Sequence, residues 1–171
     1  MFFVPYVFDR NNEKVSVSIT PMTAQDADTT DTSPRWQTSW NSVYIQASSF
    51  DKYAVHIGDE LIALGAYEVL EQQLIVHIVY MAAHPESNPT MVGLEPKYSG
   101  IGRLLIAYGI KLSIDCGFSG DVVLEAKTPE LAQHYMQDFK AVPLPAFSGG
   151  AQRFLIADEA AKNIFCNYLS D

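Results

Sequence analysis

KYSGIGRLLIAYGIKLSIDCGF, residues 97–118, is the stretch whose reading decides the fold. Gly100 and Gly102 stand either side of one residue. Behind them Ile101, Leu104, Leu105, Tyr108 and Leu112 recur at helical spacing, a stripe widened by Ile106, Ile110 and Ile114. The spacing predicts a buried helix that stops at Gly117, a normal C-terminal glycine. Glycines at its opening call for another reason. The first amides of a helix have no partner within it, and the helix dipole adds positive potential there. Residues without a side chain let an anion, most often a phosphate, approach those amides. Lys97 and Arg103 bracket the turn and add charge. A plain tight turn is the competing reading. Gly100-Ile101-Gly102 lacks the G-K-[ST] of a Walker loop, and Leu105 stands where the third Rossmann glycine would fall.

Working outward, residues 14–20 (KVSVSIT) alternate apolar and polar as a half-buried strand does, and residues 23–36 (TAQDADTTDTSPRW) read as a mobile loop or frayed helix. Residues 53–57, a turn at Gly58-Asp59-Glu60 and residues 61–70 form a hairpin; a second turn at Glu71-Gln72-Gln73 leads into 74–83 (LIVHIVYMAA). That last strand is apolar on both faces, as a central strand covered by helices would be. Residues 121–126 form a short buried strand. Thr128-Pro129-Glu130 opens a helix as N-cap, first-turn proline and acidic residue, and Leu131, Tyr135 and Phe139 line one of its faces. Short strands follow near 141–145 and 152–156. A last helix starts at Asp158 or Glu159, with Ala161, Ile164, Phe165 and Tyr168 as its stripe. The order predicts an α/β fold: a mixed, mostly antiparallel central sheet with one strand–helix–strand parallel crossover and helices on both faces.

The 171 residues suit one domain, 1–171, with a real core; 48% are hydrophobic and 18% charged, which excludes a disordered chain. No apolar run is long enough to span a bilayer, and MFFVPYVFDR does not read as a signal peptide, so a cytoplasmic protein without membrane partners is expected. A net charge of −9 argues against a nucleic-acid surface and suits a cationic substrate, though acidity that serves solubility explains it equally. Cys116 and Cys166 have no ligand or redox spacing and read as small core residues. No metal is expected, because the four histidines form no H-x-x-x-H pair. Trp36 and Trp40, placed on a helix, would share one face and cover the sheet.

The order of elements over 53–145 resembles the GNAT family of acetyl-CoA-dependent N-acetyltransferases. The family's R/Q-x-x-G-x-G/A is met by Lys97-Tyr98-Ser99-Gly100-Ile101-Gly102, with Lys in the first position. Its A-x-x-[FY]-Y-x-x-x-G-F landmark is met in part by LAQHYMQDF, which supplies Tyr135 and Phe139, with Asp138 where a glycine usually stands. The resemblance implies acetyl-CoA as co-substrate and direct attack of an amine on its thioester, the acceptor being a small molecule or a protein, and the acidity of the chain suits a cationic one. The pyrophosphate would sit on the amides from Tyr98 to Arg103. Tyr80, Met81, Ala82 and Ala83 would pair with the pantetheine, and Thr128 would add a cofactor contact. Tyr135 matches the family's general acid. The family's strand glutamate is missing; His77, acting directly or through water, Glu68, Glu71 and Glu125 are the candidate bases. The loop HPESNPTMVGLEPK, residues 84–97, is longer than the family's and reads as a lid, a subunit contact or a tolerated insertion. A homodimer fits the same pattern. The alternative function is a GNAT-fold module that holds CoA, or serves interaction, without catalysis.

Overall fold

A computed structural model of the chain describes residues 1–91, 95–145 and 150–171. In chain order its elements are β1 (Phe2–Phe3), β2 (Tyr6–Phe8), β3 (Lys14–Ser16), β4 (Ser18–Pro21), α1 (Ala24–Thr29), α2 (Val43–Ala47), β5 (Asp51–Ile57), β6 (Glu60–Leu70) and β7 (Ile75–Ala83). A 3-10 turn (Pro85–Ser87) precedes α3 (Ile101–Asp115). Then come β8 (Val122–Ala126), α4 (Pro129–Asp138), β9 (Val142–Leu144), β10 (Gln152–Ile156), α5 (Asp158–Cys166) and β11 (Leu169–Ser170). The main sheet has the strand order β4-β5-β6-β7-β8-β10-β9, and two small sheets join β1 to β11 and β2 to β3. β7 and β8 run parallel, as the crossover through α3 requires, while β4–β5, β8–β10 and β9–β10 are antiparallel. The expected mixed α/β architecture is therefore the observed one.

The residues group into two compact units, one of residues 1–2, 67–79 and 106–171, the other of 3–66 and 80–105. In the first, Val76↔Val122, His77↔Val123 and Ile78↔Leu124 set the parallel register, and Leu124 faces Phe154 across β10. A Cβ on Gly109 of α3 would lie 3.0 Å from Ile78 and 3.1 Å from Tyr67, so glycine there lets the helix lie close against the β6 and β7 side chains. Tyr135 of α4 packs edge-on against Phe154, at 6.0 Å between ring centres.

In the second unit α1 opens on a capping box. Thr23 Oγ1 accepts from the Asp26 N–H, and the Asp26 carboxylate accepts from the Thr23 N–H at 2.8 Å. Residues 23–36, read as mobile loop or frayed helix, thus contain a capped helix. Residues 14–20 do not form one strand but two, because β3 pairs with β2 while β4 pairs with β5. The alternation is unbroken; the partner changes at Val17, whose N–H donates to the Pro5 carbonyl.

Other expectations are corrected. Trp36 and Trp40 are buried but lie between α1 and α2, on no helix. Their backbone N–H groups donate to the Thr30 carbonyl and hydroxyl, and this wrapping, not helical phase, turns both indoles inward. Both cysteines are exposed. Cys116 lies past the last residue of α3, where Gly117 (φ +81°) turns the chain off the buried face, and Cys166 falls two residues beyond Ile164 on the solvent side of α5. Ile114, at 43% exposure, belongs to no buried stripe. The strand buried almost throughout is β6, from Leu61 to Tyr67, whereas β7 alternates, with Val76 and Ile78 inside and His77 half-buried.

Candidate functional site

The glycine turn lies in the second unit. The first helical bond of α3 runs from Leu104 N–H to the Gly100 carbonyl, so the amides of Gly100, Ile101 and Gly102 have no acceptor within the helix. Gly100 has φ +82°, a conformation that side chains oppose. Gly102 has ordinary helical backbone, and a Cβ added there would meet nothing within 4 Å. Glycine at 102 is therefore not demanded by packing or by backbone. A side chain there would enter open space.

Of the amides expected to hold phosphate, Tyr98 N–H donates to Ser87 Oγ (3.0 Å) and Ser99 N–H to the Phe8 carbonyl (2.8 Å). Lys97 is held away from a simple phosphate role: its ammonium lies 3.0 Å from Glu60 and 3.6 Å from Glu86. The Glu60 carboxylate pushes the Lys97 pKa up, so the ammonium stays charged. Arg103 is half-buried on the first turn of α3.

The long loop is pinned at both ends. Lys97 N–H donates to the Glu86 carbonyl at 2.9 Å, which closes its base. Asn88 and Thr90 hydrogen-bond the Gln37 side chain at 3.1 and 3.3 Å, and the His84 ring meets Trp36 edge-on. Residues 92–94 of the loop lie outside the described residues.

In the first unit, three of the four candidate bases come together. His77 Nδ1 is 3.4 Å from Glu68 Oε1, and His77 Nε2 is 3.1 Å from Glu125 Oε1. The 3.1 Å pair is close but poorly aligned, and Nε2 is a buried atom without a true hydrogen bond. It is a close polar contact. Strand alternation explains the meeting. Tyr67, Ile78 and Leu124 face α3 and α4, so their neighbours Glu68, His77 and Glu125 face the opposite side. Arg153 stands directly across from Glu125 on β10. A neutral imidazole has one N–H and two carboxylates to face, so the cluster has room for one more proton. Glu71 lies apart from it, exposed in the turn before β7.

Tyr135 is on the other face of these strands. It is 3% exposed, and burial raises its pKa to about 12. At that value, passing a proton to a departing thiolate is uphill by about 5 kcal/mol against an ordinary thiol. The phenol's unfolded value is 10.0, so stability should fall as pH rises from 10 towards about 12, by up to about 3 kcal/mol, and Tyr135→Phe should remove that slope. Denaturant melts of both proteins across this range check it; parallel slopes would show that Tyr135 is not buried as described.

Thr128 caps α4 by accepting from the Leu131 N–H at 3.1 Å, so its hydroxyl already has a structural task. Asp138, at the family's glycine position, hydrogen-bonds His134 one turn earlier. Tyr80, Met81, Ala82 and Ala83 end β7 half-buried, beyond the register shared with β8, and the Tyr80 ring meets Tyr44 edge-on.

Two features had no signal in the sequence. One is the pairing of Phe8 with Ser99. The other is a cavity of about 600 Å³ beside α1, lined by Thr20, Thr23, Asp26, His56 and Asp59 among others, where His56 Nε2 donates to the Asp26 carboxylate at 2.9 Å. Among the described residues no His, Cys, Asp and Glu group is arranged to hold a metal ion, and no helix is long and apolar enough to cross a membrane.

No protein-family model and no curated protein matches this sequence. Solved structures do. The ribosomal-protein-S18-alanine N-acetyltransferase from Escherichia coli is 12% identical, with TM-score 0.57 over 83% of this chain and 95% of that one. PaiA N-acetyltransferase from Thermoplasma acidophilum, solved with coenzyme A, is 11% identical with TM-score 0.55, over 84% and 100%. Aminoglycoside acetyltransferase AAC(6')-Ib, solved with coenzyme A and kanamycin, is 14% identical with TM-score 0.57, over 86% and 98%. These define the class: an α/β chain that shares its fold with N-acetyltransferases of solved structure. In particular, the chain has the GNAT fold, as the turn at Gly100 and the order of elements implied.

Proposed function

We propose that this chain is an acetyl-CoA-dependent N-acetyltransferase, a single functional domain over 1–171 that acts on a primary amine. The observation that carries the reading is the opening of α3, where the amides of Gly100, Ile101 and Gly102 have no helical acceptor and a Cβ added at Gly102 would meet no protein atom within 4 Å. In this reading the amides of Gly100, Ile101 and Gly102 hold the pyrophosphate, with Arg103 adding charge. The main chain of Tyr80, Met81, Ala82 and Ala83 pairs with the pantetheine. The co-substrate supplies an activated acetyl thioester.

The acceptor arrives as an ammonium ion and must lose a proton before it attacks. Glu68 and Glu125, both more than a third exposed, attract the cation, and His77 between them takes the proton. The new C–N bond forms as the C–S bond breaks, and the thiolate takes the second proton lost by nitrogen. The net reaction converts ammonium and acetyl-CoA into amide, CoA thiol and one proton. Tyr135, on the opposite face of these strands from His77, matches the family's acid, and Tyr135→Phe tests whether it acts on the thiolate. The net charge of −9 and the paired carboxylates favour a cationic acceptor. The same reading places the enzyme in the cytoplasm, without nucleic acid, membrane or metal among its partners.

A second reading, a CoA-holding module without catalysis, is favoured by the burial of Tyr135 and of His77 Nε2. Thiol release from acetyl-CoA over a panel of primary amines separates the two. Amine-dependent release that Tyr135→Phe slows, with acetyl-CoA affinity kept, supports the enzyme. Tight binding with no release over the panel supports the module.

A further inference from the structure

Residues 6–16 form a closed hairpin for which the sequence suggested no role. Tyr6↔Ser16, Val7↔Val15 and Phe8↔Lys14 set its register. Its tip is self-contained: Asp9 Oδ1 accepts from the Asn11 and Glu13 N–H groups at 2.8 and 3.0 Å, and Asp9 N–H donates to the Glu13 carbonyl. Val7 anchors it, fully buried. Its end residue meets the glycine turn directly. Phe8 N–H donates to the Ser99 carbonyl at 3.0 Å, Ser99 N–H returns a bond of 2.8 Å to the Phe8 carbonyl, and the pair forms an antiparallel bridge. The Phe8 ring lies over Gly100, with Cδ2 3.4 Å from where a Cβ would stand. Beyond the tip, Arg10 Nη2 reaches the Glu95 carbonyl at 3.5 Å.

These contacts fall on the last residue before the unbonded amides. Lys97 and Tyr98 are tied by their N–H groups to Glu86 and Ser87, and Ser99 is tied through both of its main-chain groups to Phe8. Gly100 follows; its N–H lies in the peptide plane of the Ser99 carbonyl that Phe8 holds, while the amides of Ile101 and Gly102 are oriented by α3. Fixing the residue before a glycine is how a chain keeps such a site ready in the absence of ligand, so that binding does not have to order it.

We infer that the N-terminal hairpin is part of the anion site, and that Phe8 is a positioning residue that presets the amide of Gly100 at the entry to α3, beside the helix-held amides of Ile101 and Gly102, for a pyrophosphate-bearing ligand. This rests on the proposed acetyl-CoA reading only for the identity of the ligand; the clamp itself is a property of the free protein.

The test has two arms. Phe8→Pro removes the N–H that Ser99 accepts, whereas Phe8→Leu keeps both main-chain bonds. Titration with acetyl-CoA should show affinity falling by about 10-fold or more for Phe8→Pro and by no more than about threefold for Phe8→Leu. Equal affinity of folded Phe8→Pro and wild type would overturn the inference. Amide hydrogen exchange on the wild type covers a variant that does not fold. Ser99 N–H should be protected in the free protein and little changed by acetyl-CoA, while Gly100 and Gly102 gain protection only with ligand. Rapid exchange at Ser99 would overturn the clamp. If wild type does not bind acetyl-CoA, the ligand reading falls, and Ser99 protection alone decides the clamp.

Discussion

Gly102→Val is expected to lower acetyl-CoA affinity by about 10²–10⁴-fold while leaving the melting temperature within a few degrees of wild type. A Cβ at 102 meets no protein atom within 4 Å, and its backbone is helical, so the fold has little reason to object. The space it fills is the space above the amides. Charge-assisted hydrogen bonds contribute about 1.5–3 kcal/mol each, and loss of two of them gives that range. Gly100→Val makes the contrast. At φ +82° a β-branched residue is strained by about 1–3 kcal/mol, and its side chain meets the Phe8 ring, so this variant should lose stability as well as affinity. Calorimetric titration and thermal melts of the two variants separate the effects. A destabilised Gly102→Val with intact affinity would mean that glycine there serves the fold and not a ligand.

The second large effect is on turnover. His77→Gln keeps a side chain of similar size and its hydrogen bonding but cannot take a proton at neutral pH, so kcat should fall by about 10²–10⁴-fold with acetyl-CoA affinity unchanged. Glu68→Gln and Glu125→Gln leave the imidazole in place and should act mainly through KM for the amine, the more strongly the more cationic the acceptor. Steady-state kinetics with one monoamine and one diamine resolve the pattern. A His77→Gln enzyme within a few-fold of wild type would return the proton to water or to Glu71, which lies apart from the cluster.

What was legible in the sequence was whatever local pattern dictates. The apolar stripe of α3, the N-cap at Thr128 and the hairpin turn at Gly58 are short-range features, and each element stands where its residues predict. The crossover from β7 through α3 to β8 fixed the one parallel pair. The base was not legible. Glu68, His77 and Glu125 are far apart in sequence and meet only because neighbouring strands put alternate residues on one face, in a register no single strand reveals. The cysteines misled because composition treats them as core residues, while Cys166 is placed by its phase on α5 and Cys116 lies where the chain leaves α3. The hairpin at residues 6–16 escaped notice because its strands are three residues each and its partner, Ser99, lies some 90 residues away.

The most direct measurement follows the backbone amides by ¹⁵N–¹H NMR as acetyl-CoA is added. The amides of Gly100, Ile101 and Gly102 should move strongly downfield and saturate together, with Tyr98 and Ser99, which already donate within the protein, moving far less. Saturable binding that leaves Gly100, Ile101 and Gly102 unmoved, or no binding by the folded protein, would contradict the pyrophosphate cradle and with it the acetyl-CoA reading.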